Sequence, residues 1–218
     1  RAHARFFNTC MMATALGAAV SDALADGRVV SGVGGQYNFV AMAHALHHAR
    51  SVLMLRATRD ADGRRLPSVL WQYGHTTIPR HLRDVYVSEY GIADVLGRVD
   101  EDCVAAMVSI ADAAHQPALL EQARRNAKLA PGFVAPARWQ RNTPQQLQAA
   151  LAPFRADGTL PDYPLGSDFT AVEQRVVRAL QWLKAATCTR GGKLRTIVAA
   201  VLSGTTDDAD AMARMQLH

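Results

Sequence analysis

The stretch RVVSGVGGQYNFVAMAHAL, residues 28–46, joins three signals that decide the fold. Its first residues, Arg28 to Val30, include two β-branched side chains and predict a short strand. The glycine-rich residues 31–35 predict a turn, and residues 39–46 carry apolar side chains at helical spacing. A strand, a glycine turn and a helix in this order are typical of an α/β protein.

Further short strands are predicted downstream of this unit. Residues 51–57 are almost all apolar, as expected for a strand that is covered on both faces. A loop that contains Gly63 is predicted over residues 59–67, and shorter strands are predicted over residues 69–73 and 85–88. Buried strands that alternate with helices indicate an α/β layer architecture.

The second half of the chain is predicted to be largely helical. Asp100 can cap one helix, and Pro117 can open the next. A short helix is expected near residues 145–151, and Thr170 can cap a final helix that continues to Leu183.

These patterns predict three regions. An α/β domain is expected over residues 1–130, and a Pro-rich segment with a final helix over residues 131–185. The tail, residues 186–218, has weak periodicity and is left unassigned.

Composition excludes several classes of protein. The chain has 218 residues, 49% hydrophobic residues and a formal charge of +5, which fits one globular core and excludes disorder, collagen and coiled coil. The longest uncharged apolar run, residues 10–20, is shorter than the roughly 20 residues that a membrane span needs. Basic residues cluster only in pairs, so no nucleic-acid surface is predicted. Three widely spaced cysteines fit reduced thiols and a cytoplasmic location.

The glycine turn is the strongest local candidate for a binding site. Backbone N–H groups and the start of a helix can hold an anion or a developing oxyanion. The dinucleotide fingerprint would need glycine at Tyr37, and a P-loop would need Gly-Lys-Ser/Thr at residues 35–37. A purely structural turn is an equal alternative.

Two other candidates are weaker. Glu89 follows the strand predicted at residues 85–88, although a surface or structural role is the more common one for a single acid. His44 and His48 are four residues apart but lack the intervening glutamate of H-E-x-x-H, so no metal site is predicted.

Several motifs together resemble the C-terminal domain of the acetyl-CoA hydrolase/transferase family, relatives of the class I CoA-transferases. The similarity covers approximately residues 5–183. It implies an open, mostly parallel sheet layered with helices, like that of CoA-transferases and the NagB/RpiA fold, with a helical C-terminal extension. The motifs, in chain order, are FNT at 7–9, LG at 16–17, SGVGGQYNF at 31–39, TR at 58–59, YGHTTIPRHLRD at 73–84 and VSEYGIAD at 87–94.

The resemblance also implies roles for single residues. The backbone N–H groups at Gly34 and Gly35 would contact the thioester oxygen, and Glu89 would be a supporting acid. The remaining contacts to CoA would come from Asn8, Ser31, Gly35, Gln36 and Arg59.

In this family a glutamate attacks the acyl-CoA and forms a glutamyl-CoA thioester, and that glutamate lies upstream of the asparagine motif. Only seven residues precede Asn8, so the nucleophile is expected to lie outside this chain, in the N-terminal half of a longer enzyme. The implied ligands are acyl-CoA and a small carboxylate. The protein is expected to form a homodimer. It is not expected to hold a tightly bound cofactor or a metal, or to bind nucleic acid or a membrane.

Two alternatives stay open. The fold could serve a non-catalytic CoA-binding or assembly module. The sequence also does not distinguish a transferase from a hydrolase, because the two differ only in whether a carboxylate or water reaches the thioester.

Overall fold

The computed structural model describes residues 2–61, 63–203 and 208–216. The chain divides into two compact units, Arg1–Pro153 and Phe154–His218. The described strands all belong to the first unit: β1 (Arg5–Thr9), β2 (Met12–Thr14), β3 (Ala19–Val20), β4 (Arg50–Met54), β5 (Thr58–Ala61), β6 (Arg64–Pro67), β7 (Val69–Leu70), β8 (Val85–Ser88) and β9 (Gly91–Asp94).

The first described α-helix lies between β3 and β4 in the chain, and the other α-helices come after β9. The helices are α1 (Gln36–Ala45), α2 (Asp100–Ser109), α3 (Gln116–Arg125), α4 (Pro144–Ala156), α5 (Ala171–Ala186), α6 (Arg190–Ser203) and α7 (Ala209–Arg214). Helix α1 packs against β1 and β4, whereas α2 packs against β9 and α3.

The main sheet has the strand order β1-β4-β8-β9. Strands β1, β4 and β8 are parallel, and β9 returns antiparallel to β8. The interior strand β4 buries three successive residues, Ser51, Val52 and Leu53, as the apolar run predicted. The open, mostly parallel sheet layered with helices is therefore confirmed.

The remaining strands form two smaller sheets. In the first, β2 lies between the antiparallel β3 and the parallel β7. In the second, β5 and β6 form an antiparallel hairpin in which Asp60 pairs with Arg65 and Arg59 pairs with Leu66. The hairpin corrects the predicted loop over residues 59–67, whose charged side chains concealed the strand pattern.

The core of the first unit is built around β8 and α2. Tyr86 is fully buried, and its hydroxyl donates to the carbonyl oxygen of Gly17 at 3.0 Å. Val104, Met107 and Val108 share the buried side of α2. A buried phenol needs such a partner because an unpaired hydroxyl costs about 1–3 kcal/mol.

A charged cluster, the Arg50 clamp, ties three strand ends together. Arg50 begins β4, and its guanidinium Nε donates to Asp84 Oδ1 at 2.7 Å. Its Nη2 contacts Asp84 at 2.6 Å and the exposed Asp94, at the end of β9, at 2.7 Å. Asp84 is 4% exposed and also accepts the backbone N–H of Ser51 at 2.6 Å. The clamp lies at the ends of β4 and β8 where these parallel strands begin.

Two other local predictions are wrong. Residues 28–30 form no strand, because Val29 makes only a single bridge to Ala23 and is 69% exposed. Asp100 does not cap α2, since Val99 occupies the N-cap position. The Asp100 carboxylate instead accepts Lys128 Nζ at 2.7 Å.

The second unit confirms the predicted cap at Thr170. The Thr170 hydroxyl accepts the backbone N–H of Glu173, and the Glu173 carboxylate accepts the backbone N–H of Thr170. This backbone bond, with Arg214, lowers the pKa of Glu173 to about 2. The unassigned tail contributes α6 and α7, and α7 packs on α5. Among the described helices, none is long and apolar enough to cross a membrane.

Candidate functional site

A cavity of about 950 Å³ opens at the edge of the main sheet where the parallel strands end. Thr9 ends β1, Met54 ends β4, and Ser88 ends β8, and all three line it. Ligands of open α/β sheets bind outside the carboxyl ends of the strands. Leu147 and Gln148 of α4 form another part of the wall.

Glu89 lies at the centre of this edge, one residue after β8. It is exposed and lines the cavity. Its Oε2 accepts the backbone N–H of Ala57, in the loop after β4, at 2.8 Å. This bond fixes the carboxylate while leaving Oε1 able to accept a proton or a ligand hydrogen bond.

The glycine turn reaches the same edge through one side chain. Gln36, the first residue of α1, is 6% exposed, and its Nε2 donates to the carbonyl oxygen of Thr9 at 2.9 Å. Gly34 has φ +59°, a conformation that glycine adopts at little cost, and Gly35 is the N-cap of α1. No side chain in the described part of the chain caps α1, so its first N–H groups remain open to a ligand.

The loop that leads into the glycine turn is fixed by Asp22. Its carbonyl oxygen accepts the backbone N–H groups of Val30 at 2.8 Å and Ser31 at 3.2 Å. Its carboxylate accepts the hydroxyl of Thr77 and contacts His75 Nε2 at 3.1 Å. The Thr77 bond, followed by His75, lowers the pKa of Asp22. Part of the motif at residues 73–84 thus serves to hold this loop.

Two buried amide atoms beside the cavity residue Thr9 have no hydrogen-bond partner among the described residues. They are Nδ2 of Asn8, which precedes the cavity residue Thr9, and Oε1 of Gln36. Native proteins seldom leave a buried polar atom unpaired, because its desolvation is not repaid. Both residues were assigned to CoA from the sequence.

Arg59 and Ser31 lie apart from the cavity wall. Arg59 Nη1 donates to the carbonyl oxygen of Pro67 at 2.5 Å, and Ser31 Oγ donates to that of Ser21 at 2.8 Å. Asn8, Gly34, Gly35 and Gln36 do not line the cavity either, so Glu89 is the one site residue assigned from the sequence that does. Gln36 meets this wall only through its bond to Thr9, and Asn8 precedes Thr9 in β1.

Sequence reasoning missed a polar cluster in the wall. Asp112, after α2, is 4% exposed and accepts Arg65 Nη2 at 3.1 Å and the Tyr90 hydroxyl at 3.0 Å. Burial, together with the bond to Asp112, raises the pKa of Tyr90 to about 12. The sequence signals for this cluster were the Arg64–Arg65 pair and the position of Tyr90 after Glu89. Neither signal points to Asp112, because Asp112 is distant in the chain.

His44 and His48 lie in different backbone environments. His44 lies in α1, and its Nε2 contacts the carbonyl oxygen of Leu82 at 2.9 Å. His48 lies beyond the end of α1 with φ +56°. Within the described ranges, no three His, Cys, Asp or Glu side chains cluster as a metal site.

Two solved structures with TM-scores above 0.5 support the fold. RipA from Yersinia pestis is 23% identical, with a TM-score of 0.51 over 57% of this chain and 28% of its own. A single-residue mutant of RipA gives a TM-score of 0.53 at the same identity and coverage. 4-Hydroxybutyrate CoA-transferase from Porphyromonas gingivalis is 23% identical over 56% of this chain and 26% of its own, with a TM-score of 0.43.

The chain therefore spans less than a third of the length of these structural relatives. No curated protein matches it significantly. The family model described as "Acetyl-CoA hydrolase/transferase C-terminal domain" matches residues 1–123, which is more than half of the chain and includes the main sheet and most of the cavity wall. On this match, the chain belongs to the acetyl-CoA hydrolase/transferase family through its C-terminal domain.

Proposed function

We propose that this chain forms the CoA-binding C-terminal part of an enzyme that moves CoA from an acyl-CoA to a carboxylate, or hydrolyses the acyl-CoA. The observation that carries the proposal is the position of Glu89 directly after β8, in a 950 Å³ cavity at the carboxyl edge of the parallel strands. Membership in the acetyl-CoA hydrolase/transferase family supports a thioester as the substrate.

The proposed binding mode divides the site into two parts. The backbone N–H groups at Gly34 and Gly35 face the thioester oxygen at the open start of α1. Asn8 and Gln36 contact the pantetheine arm, which would give partners to their unpaired amide atoms. Ser31 and Arg59 contact the nucleotide end of CoA, outside the cavity. Glu89 orients the reacting groups.

The covalent step in this proposal belongs to a glutamate in the N-terminal part of a longer protein. Its carboxylate attacks the thioester carbonyl, the carbon–sulfur bond breaks, and CoA thiolate leaves. The thiolate then attacks the resulting anhydride, which releases the first carboxylate and gives glutamyl-CoA. This chain stabilises the negative oxygen of each tetrahedral intermediate, and one such donor is worth about 3 kcal/mol.

Calorimetric titration of this chain with CoA and acetyl-CoA tests the proposal, with NAD and ATP as controls. Binding of both CoA compounds, without NAD or ATP, is the expected result. Binding of NAD or ATP instead would contradict it, because these ligands use the glycine turn in a different way.

The variant Gly35→Ala tests the contact at the turn. A Cβ on Gly35 would lie 3.4 Å from the ring of Phe39, an ordinary contact, so the fold should persist. The new methyl group would obstruct the backbone N–H, and loss of one hydrogen bond should weaken acetyl-CoA binding about tenfold. Gly32→Ala is the matched control, since a Cβ there meets nothing within 4 Å. Equal binding by both variants would remove the turn from the site.

The variant Glu89→Gln separates catalysis from binding. Its amide oxygen can still accept the Ala57 N–H, so CoA binding should persist, while turnover by the complete enzyme should fall. A chain that binds CoA but supports no turnover when joined to its N-terminal half would instead be a binding module.

A further inference from the structure

The hairpin β5–β6 presents two different faces. Cross-strand partners lie on the same face of an antiparallel pair, and successive residues alternate between faces. Asp60 and its partner Arg65 both line the cavity, together with Thr58. Arg64 pairs with Ala61 on the opposite face, and neither lines the cavity.

Arg65 is held by a buried acid from a distant part of the chain. Its Nη2 contacts Asp112 Oδ2 at 3.1 Å, although Asp60 is its cross-strand neighbour. Its Nε donates to Thr58 Oγ1 at 3.1 Å. The Arg65 side chain nevertheless remains 42% exposed, and its Nη1 makes no hydrogen bond to the described residues. Part of a rigidly oriented guanidinium therefore faces the cavity.

Asp112 is fully engaged in holding this wall. Its Oδ2 accepts from Arg65 and Tyr90, and its Oδ1 accepts the backbone N–H of Ala114 at 3.1 Å. The carboxylate side chain is only 5% exposed. An ion pair with one exposed partner, such as Arg65, contributes little to stability. Its geometric effect here is to fix the direction of Arg65.

Arg56 supplies a second positive charge to the same cavity. It lies two residues after β4, is exposed, and makes no ion pair within the described part of the chain. Guanidinium groups bind carboxylates and phosphates through paired, charge-assisted hydrogen bonds. Asp60, the cross-strand neighbour of Arg65, and Glu89 also line the cavity, so two acids share the lining with the two guanidinium groups.

We propose that Arg65 and Arg56 form an oxyanion-binding site in the cavity, with Asp112 as the residue that positions Arg65. The ligand group is a carboxylate or a phosphate of the substrate. This inference rests on the proposed function for its choice of substrate, but the site can be tested without turnover.

Calorimetric titrations of the whole chain with succinate, inorganic phosphate, CoA and phosphate-free pantetheine test the proposal. Arg65→Gln should weaken binding of the charged ligand about 30-fold, while pantetheine binding stays unchanged. Arg64→Gln is the matched control, because it removes the same charge from the other face of the hairpin, and it should change binding less than about twofold. A loss confined to succinate identifies a carboxylate site, and a loss confined to CoA and phosphate identifies a phosphate site.

A double-mutant cycle tests the role of Asp112. Asp112→Asn should weaken binding of the charged ligand, and adding Arg65→Gln should cause little further loss, because both changes remove one function. Independent, additive losses would make Asp112 only structural.

The two proposals fail in different ways. If CoA and pantetheine bind but Arg65→Gln and Arg64→Gln have equal effects, the oxyanion site is refuted and the proposed function stands. If CoA does not bind while succinate or phosphate binds in an Arg65-dependent manner, the oxyanion site stands and the proposed function fails. If no probe binds, the oxyanion site is refuted.

Discussion

The Arg50 clamp provides a sharp test of what holds the main sheet together. In Asp84→Asn, the side chain keeps its shape but loses its charge and places an amide near two donors, Arg50 and the Ser51 N–H. Whichever way the amide turns, one donor–acceptor contact of 2.6–2.7 Å becomes unfavourable or is lost. The variant should therefore destabilise the first unit strongly.

The magnitude follows from burial. Removing one partner of a buried ion pair costs about 3–5 kcal/mol. Arg50 is 27% exposed at its side chain and keeps Asp94, so the lower end, about 3 kcal/mol, is expected. Asp94→Asn is the matched control, because it removes a partner of the same guanidinium that is 50% exposed. Its expected cost is below about 1 kcal/mol.

Urea unfolding followed by tryptophan fluorescence measures both costs. Trp71 and Trp139 report on the first unit, and a Trp182→Phe background removes the signal of the second. Equal free energies of unfolding for Asp84→Asn and Asp94→Asn would refute the argument from burial. So would a cost below about 1 kcal/mol for Asp84→Asn.

Three further outcomes are expected. Burial and the bond to Asp112 raise the pKa of Tyr90 to about 12, so the first unit should lose stability between pH of about 10 and 12, where the unfolded chain releases this proton first. Asp112→Asn should lower the pKa of Tyr90. An ultraviolet titration measures this pKa, and the Tyr90→Phe variant identifies which part of the signal comes from Tyr90. Burial raises the pKa of Cys10 to about 12 and of Cys103 to about 11, so a thiol reagent should label only exposed Cys188 until denaturant is added. Thr170→Ala should cost the α5 helix about 1 kcal/mol, measured by circular dichroism of the helical signal on heating, whereas Thr170→Ser should cost little.

Strong local patterns were enough to predict the centre of the fold. The apolar run at residues 51–57 and the short run at residues 85–88 correspond to β4 and β8, because both carry the apolar and β-branched side chains that suit interior parallel strands. The strand at residues 28–30 was predicted from the same residue types, but Val29 and Val30 remain exposed. Strand propensity alone does not show whether a segment is covered.

The candidate site was predictable where its residues are close in sequence to a strand end. Glu89 directly follows β8, so its place at the cavity could be inferred. The cluster of Arg65 with Tyr90 and Asp112 could not, because Arg65 and Asp112 are 47 residues apart and meet only through the tertiary fold. The hairpin that carries Arg65 was also hidden by its charged sequence.

The alternation of the hairpin β5–β6 has a practical consequence for protein engineering. Since only one of its faces lines the cavity, randomising Asp60 and Arg65 together would create a small library directed at ligand preference. Randomising Ala61 and Arg64 would instead vary the face that does not line the cavity. The two faces of this hairpin can thus be varied independently, one to change the cavity wall and the other to change the opposite surface.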